Sequence, residues 1–200
     1  MDQVTSKDGT AIAYERLGAG PAVILVGGAF VDRSENAPLA AELAERFSVY
    51  NYDRRGRGDS GDIPPYAVER EIEDLEALIA EAGGAAHLYG ISSGGALVLQ
   101  AAAAGVGVDR LAVYEVPYDM AESGQQRHRE YMASLERFLG EGRRGDAAEL
   151  FMRLAGASDE MVAGARSSPM WPGLEAIAHA VLVAVDRIGR IEDHPDIAAA

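Results

Sequence analysis

Gly90-Ile-Ser-Ser-Gly94 is the segment whose residue types and spacing point most directly to chemistry. It fits G-x-S-x-G, in which a serine hydroxyl stands at the tip of a sharp strand-to-helix turn and attacks an acyl carbonyl. The flanking glycines suit a place where backbone passes close to backbone. With 23 glycines in 200 residues, the bare pattern arises by accident in roughly one chain in seven of this composition. Its surroundings must therefore decide. His87-Leu-Tyr-Gly-Ile91 reads as a strand running in, and Ala96 to Ala104 as a helix running out. That order sets Ser92 at the carboxyl end of a strand, where open α/β sheets bind ligands. The free N–H groups of the helix start beneath it suit a developing oxyanion. A glycine-rich turn with incidental serines is the plainer alternative.

A serine needs a base to take its proton, and the base needs an orienting carboxylate. Four histidines are available. His87 begins the strand that leads to Ser92, so it sits at the far end and is expected to be structural. His128, between Arg127 and Arg129 in a polar helix, reads as solvated. His179 on a late helix could overhang the site, and His194 lies in the terminal Asp193-His-Pro-Asp196. Neither stands out as the base. Glu115 ends the strand after Ser92 and could orient a histidine. A carboxylate satisfied by backbone N–H groups or an arginine is the simpler account of it.

The elements that must position these groups alternate. Strands are expected at Ala11 to Arg16, Ala22 to Val26, Phe47 to Asp53, His87 to Ile91 and Leu111 to Val116. Ala22-Val-Ile-Leu-Val26 is a continuous apolar run, as a strand buried on both faces requires. Helices are expected at Pro38 to Arg46 and Ala96 to Ala104, and at Val68 to Glu81, where Val68, Ile72, Leu75 and Ile79 recur at helical spacing. Strands alternating with helices imply right-handed crossovers and a mostly parallel, doubly wound α/β sheet. After Pro117 the pattern turns helical, at Gln125 to Leu139, Asp146 to Leu154, Asp159 to Ala165 and Leu174 to Ile188. Ala180-Val-Leu-Val-Ala-Val185 is ambiguous by periodicity. Residues 1–117 thus read as the sheet core, 118–196 as a helical cap or lid, and 197–200 as a tail.

Composition excludes several functions. Eighteen Lys plus Arg against 32 Asp plus Glu give a net charge of -14, which disfavours a nucleic-acid groove or an anionic membrane surface. Without cysteine there is no disulfide, thiolate metal site or Cys nucleophile. No apolar stretch approaches the ~20 residues that span a bilayer, and the N-terminus has no secretory pattern. A soluble, cytoplasmic protein is expected, with no metal or cofactor. Gly56-Arg-Gly-Asp-Ser-Gly61 fits G-x-G-x-x-G, but Ile63-Pro64-Pro65 interrupts the helix that should follow. This loop reads as a turn beside the site, with Asp53 and Arg55 pairing locally. The acidic helix around Glu69 to Glu76 reads as a solvated face.

Val23-Ile-Leu-Val-Gly-Gly28, Asp53-Arg-Arg-Gly-Arg-Gly-Asp-Ser60 and Gly90-Ile-Ser-Ser-Gly94 stand in an order and spacing that resembles the α/β-hydrolase superfamily, in its bacterial esterase-like branch with a helical cap. Tyr114-Glu-Val-Pro117 and Trp171-Pro-Gly-Leu-Glu-Ala-Ile-Ala-His179 are similar to members of that branch. The resemblance implies that Ser92 is the nucleophile and the Ser93 N–H one oxyanion donor. The second donor is implied at Ala29, with Phe30 the alternative, in a turn where Gly27-Gly28-Ala29 replaces the commoner His-Gly-x. It implies a small ester or related acyl substrate and an acyl-enzyme, and Ser92 argues against relatives that carry Asp there. Family members add an acid and then a histidine on later strands. The strands expected here stop at Val116, and two further βα units would need roughly 60 residues. A fragment, a completing partner chain or lost catalysis would each explain this, and the first is favoured. A degenerate module binding a small apolar ligand is the alternative function. The last strand should leave an open apolar edge, suited to a second copy or a completing chain.

Overall fold

The computed structural model describes residues 1–116 and 122–186. They fall into two compact units that part near residue 118. In the first, six strands form one sheet: β1 (Asp2–Thr5), β2 (Ala11–Leu17), β3 (Ala22–Val26), β4 (Ser48–Tyr52), β5 (Ala86–Ile91) and β6 (Val108–Tyr114). Their spatial order is β1-β2-β4-β3-β5-β6. β1 and β2 join antiparallel, while β4, β3, β5 and β6 run parallel. The sheet is therefore mostly parallel, as the alternation of elements requires. β1 was not foreseen, because its Asp-Gln-Val-Thr lacks the apolar alternation of a half-buried strand.

The continuous apolar run of β3 is buried as expected, with Ile24, Leu25 and Val26 fully enclosed. Side chains alternate across a strand. Val23, Leu25 and Val49 accordingly pack on one face with Leu39, Ala40 and Leu43 of helix α1 (Ala37–Leu43). Helix α2 (Val68–Glu81) buries Val68, Leu75, Leu78 and Ile79. Helix α3 (Ser93–Ala103) starts three residues earlier than its apolar pattern suggests, since Gly94 and Gly95 belong to its first turn. It lies along β5 and β6.

β6 pairs only with β5 among the described strands and carries Leu111, Val113 and Tyr114 at 37%, 44% and 54% exposure. An exposed apolar edge of this kind invites strand pairing between molecules. Val113→Lys should lower self-association, read by light scattering across a concentration series, with the far-UV spectrum unchanged.

The second unit is helical: α4 (Glu122–Gly140), α5 (Arg144–Leu154), α6 (Asp159–Arg166) and α7 (Trp171–Asp186). Met132, Leu135, Ala147, Ala148, Val162, Trp171 and Ala178 are buried within it. Met132 and Trp171 therefore serve core packing. The ambiguous Ala180 to Val185 stretch is helical, inside α7. Among the described residues no helix is long and apolar enough to cross a membrane.

Candidate active site

Ser92 stands between the last residue of β5 and the first of α3. Its backbone takes φ 53° and ψ -123°, a conformation that L-residues rarely adopt. Its N–H donates to the Tyr114 carbonyl at 2.9 Å, which ties the turn to the end of β6. Its side chain is half-buried and makes no capping hydrogen bond to the helix below it. A Cβ on Gly90 would lie 2.4 Å from the Gly94 carbonyl oxygen. A Cβ on Gly94 would lie 2.4 Å from the carbonyl oxygens of both Val26 and Gly27. The two glycines thus let α3 seat directly on its own strand and on the end of β3.

That close approach brings a second loop to the site. Gly27, Gly28 and Ala29 follow β3 and are buried. Their carbonyls all point to arginines: Arg54 Nη1 lies 3.1 Å from the oxygens of Gly27 and Gly28, and Arg57 Nε lies 2.8 Å from that of Ala29. The Gly28 N–H donates to Glu35 at 2.9 Å. The Ala29 N–H donates to no group among the described residues. Ser93 opens α3, so its N–H has no carbonyl one helical turn back to receive it. Two buried segments, each with an N–H that donates to no group among the described residues, therefore meet next to the Ser92 turn.

Arg54 holds them there. Its Nε and Nη2 grip Glu71 at 2.6 and 2.8 Å, and its Nη1 also reaches Ser93 Oγ at 2.9 Å. The Tyr66 hydroxyl donates to the same Glu71 carboxylate. Arg55 is bound to Asp74 at 2.8 and 2.6 Å and to Asp8 at 2.8 Å. Asp53 accepts instead from the Arg33 N–H at 2.7 Å, the Arg33 guanidinium and the Asp59 N–H at 2.8 Å. The expected local pairing of Asp53 with Arg55 is thus wrong, because each finds a partner on another element. The solvated reading of α2 is wrong too: Glu71 and Asp74 are 1% exposed and neutralise two buried arginines.

Burial pushes the Glu71 carboxyl up, but the Arg54 charge and hydrogen bonds outweigh it and hold the group at about 2, below its ordinary 4.5. A folded value below the unfolded one means a contribution that is complete above 4.5 and lost as pH falls toward 2. The difference corresponds to about 3 kcal/mol. Glu71→Gln should therefore flatten the acid limb of stability between pH 4.5 and 2, measured by urea unfolding at stepped pH. A slope equal to that of the parent would contradict it.

The expected partners of Ser92 are unevenly placed. β5 and β6 pair Ile91 with Tyr114, so Ser92 and Glu115 follow at the same sheet end. Glu115 is exposed and also carries a positive φ, of 51°. His87 is the second residue of β5, at the opposite end, in edge contact with Phe47. Five residue steps along the strand separate it from Ser92, roughly 16 Å. His128 is half-buried on α4 with its Nε2 enclosed, rather than solvated. His179, in the second unit, places Nδ1 2.8 Å from Arg144 Nη2. His194 lies outside the described residues. A polar cavity of about 490 Å³ opens beside Arg33 between Glu15, Asn51 and Asp59, and Ser92 does not line it. No group of three metal-ligating side chains converges among the described residues.

The profile of the Alpha/beta hydrolase family matches residues 22–198. The crystal structure of an alpha/beta hydrolase from Sphaerobacter thermophilus is 52% identical, with a TM-score of 0.78, covering 92% of this chain and 73% of that one. The Bottromycin epimerase BotH in complex with Bottromycin A2 is 30% identical, with a TM-score of 0.63, covering 92% and 74%. The uncharacterized hydrolase YraK of Bacillus subtilis is 35% identical over 95 residues. That match takes in 46% of this chain and 35% of YraK, about a third of the relative's length.

Proposed function

The chain belongs to the Alpha/beta hydrolase family, and on that premise we propose that Ser92 is the nucleophile of a serine hydrolase acting on a small ester or related acyl substrate. Ser92 Oγ adds to the acyl carbonyl as its proton passes to a base, and the N–H groups of Ala29 and Ser93 receive the oxyanion. Collapse expels the alcohol and leaves an acyl-Ser92, which water hydrolyses to the acid. No step calls for a metal or an organic cofactor. The observation that carries this reading is the φ of 53° at Ser92, between strand and helix. Such a backbone costs about 1–3 kcal/mol and is retained where surroundings over-determine it. Ala29 is preferred to Phe30 as donor because the Gly28 carbonyl, which shares a peptide plane with the Ala29 N–H, is fixed by Arg54, and that N–H donates to no group among the described residues. Glu115 is the candidate orienting acid and the base is unassigned. We read residues 118–196 as a cap and propose a cytoplasmic protein with a small-molecule substrate.

One observation favours a second reading, a module that binds a small apolar ligand without hydrolysing it. The described histidine of the first unit, His87, faces the wrong end of β5. BotH has this fold and is named for an epimerisation.

Hydrolysis of p-nitrophenyl acetate and butyrate separates the two. The proposal expects p-nitrophenolate release that Ser92→Ala lowers about 10³-fold or more. Ser92→Gly should lose as much activity yet be about 1 kcal/mol more stable than Ser92→Ala, since glycine takes the strained φ without penalty. Equal release by parent and Ser92→Ala would favour the second reading.

A further inference from the structure

We infer that Arg54 is the positioning residue of this site: one buried guanidinium sets the distance between the two segments that supply the oxyanion donors. The inference rests on the Ser92 reading for its catalytic meaning, and on hydrogen bonds alone for its geometry.

Arg54 is 3% exposed, and each of its three guanidinium nitrogens donates a hydrogen bond. Nε and Nη2 face Glu71, and the two hydrogens of Nη1 serve three acceptors within 3.1 Å. Two of those acceptors, the carbonyls of Gly27 and Gly28, belong to the loop after β3. The third, Ser93 Oγ, belongs to the first turn of α3. A guanidinium is planar and rigid, so groups bound to one of its nitrogens keep a fixed separation. With the carbonyls of Gly27 and Gly28 turned inward to Arg54, and that of Ala29 to Arg57, the loop's peptide planes are set. Donors fixed in this way need no reorganisation when charge develops, which is how a preorganised site lowers a barrier.

The clamp is itself held. Glu71 comes from α2, and its Oε1, which accepts from Arg54 Nη2, also receives the Tyr66 hydroxyl. Arg57 contacts that same hydroxyl at 3.1 Å while holding the Ala29 carbonyl. Loss of Arg54 would leave three buried acceptors without their donor and a buried carboxylate without its counter-ion. Lysine cannot replace it, because a single ammonium cannot face Glu71 and both segments together.

Ser93→Ala is the sharper test. It cuts the link between guanidinium and helix while leaving the residue 93 N–H in place. Amide exchange at residues 27–29 and 92–95 is to be followed in the whole chain, parent, Ser93→Ala and Arg54→Lys, beside the melting temperature. The rate of Ser92 modification by a fluorophosphonate is measured on the same samples. Exchange in both segments should rise about tenfold in Ser93→Ala at nearly unchanged melting temperature, and modification should slow by a similar factor. A purely structural role would shift the melting temperature without that paired local change. Exchange and modification both equal to the parent's would overturn the inference and leave the Ser92 reading standing. Paired exchange changes in a chain that never reacts with the probe would support the clamp and overturn the Ser92 reading. Should Arg54→Lys fail to fold, Ser93→Ala still decides.

Discussion

Replacing Glu71 by alanine is expected to cost about 3–5 kcal/mol, the range for removing one partner of a buried ion pair. The cause is what remains: Arg54, with a side chain 2% exposed, would keep its charge with no carboxylate opposite it. Surface pairs on the same protein offer the contrast. Arg153 and Glu149 on α5 are 44% and 26% exposed, and such pairs contribute about 0–1 kcal/mol. Urea unfolding at pH 7, followed by far-UV circular dichroism, should show a large fall in midpoint for Glu71→Ala and almost none for Glu149→Ala. The double variant Arg54→Met with Glu71→Ala should recover part of the loss, because the stranded charge is removed along with its partner. A Glu71→Ala protein as stable as its parent would mean that water reaches Arg54 and that the cluster is not closed.

Gly94→Ala carries the second large effect, and its sign is the informative part. Alanine in a helix ordinarily gains about 1 kcal/mol over glycine. At position 94 the new methyl would meet the Val26 and Gly27 oxygens at 2.4 Å. Backbone atoms cannot move aside as a flexible side chain can, so α3 and the loop after β3 must part. Overpacking of this kind costs about 3 kcal/mol, and it would separate the two segments that flank Ser92. Gly164 on α6 is the control: nothing lies within 4 Å of a Cβ there, so Gly164→Ala should gain up to about 1 kcal/mol. Thermal melts of both variants, with fluorophosphonate reactivity for Gly94→Ala, check the pair. A stabilised Gly94→Ala would contradict the close seating of α3.

The same two residues mark what the sequence could and could not disclose. The turn at Ser92 was legible because strand period, glycine spacing and helix period meet within a few residues. The start of α3 is hidden in the sequence because Gly94 and Gly95 are weak helix formers, although the close approach needs them. Glu71 and Asp74 read as solvated from sequence, because charge usually faces water. A signal was present, since Val68, Glu71, Leu75 and Leu78 fall on one helical face and three arginines cluster in the loop that precedes α2. The partner of each arginine is a tertiary fact, however. Asp53 is next to Arg54 in the chain, yet Arg33 takes it and leaves Arg54 to Glu71. The position of His87 at the wrong end of its strand was readable from order alone, whereas the enclosure of His128 Nε2 depends on helix packing that a polar neighbourhood conceals.

The Ser92 hydroxyl is proposed as a reactive nucleophile, and peptide mapping after fluorophosphonate treatment of the folded chain tests this most directly. A single phosphonyl adduct on Ser92, absent from Ser92→Ala, is the predicted result. A folded chain that stays unmodified, or an adduct on Ser93 or another hydroxyl with Ser92 untouched, would contradict it.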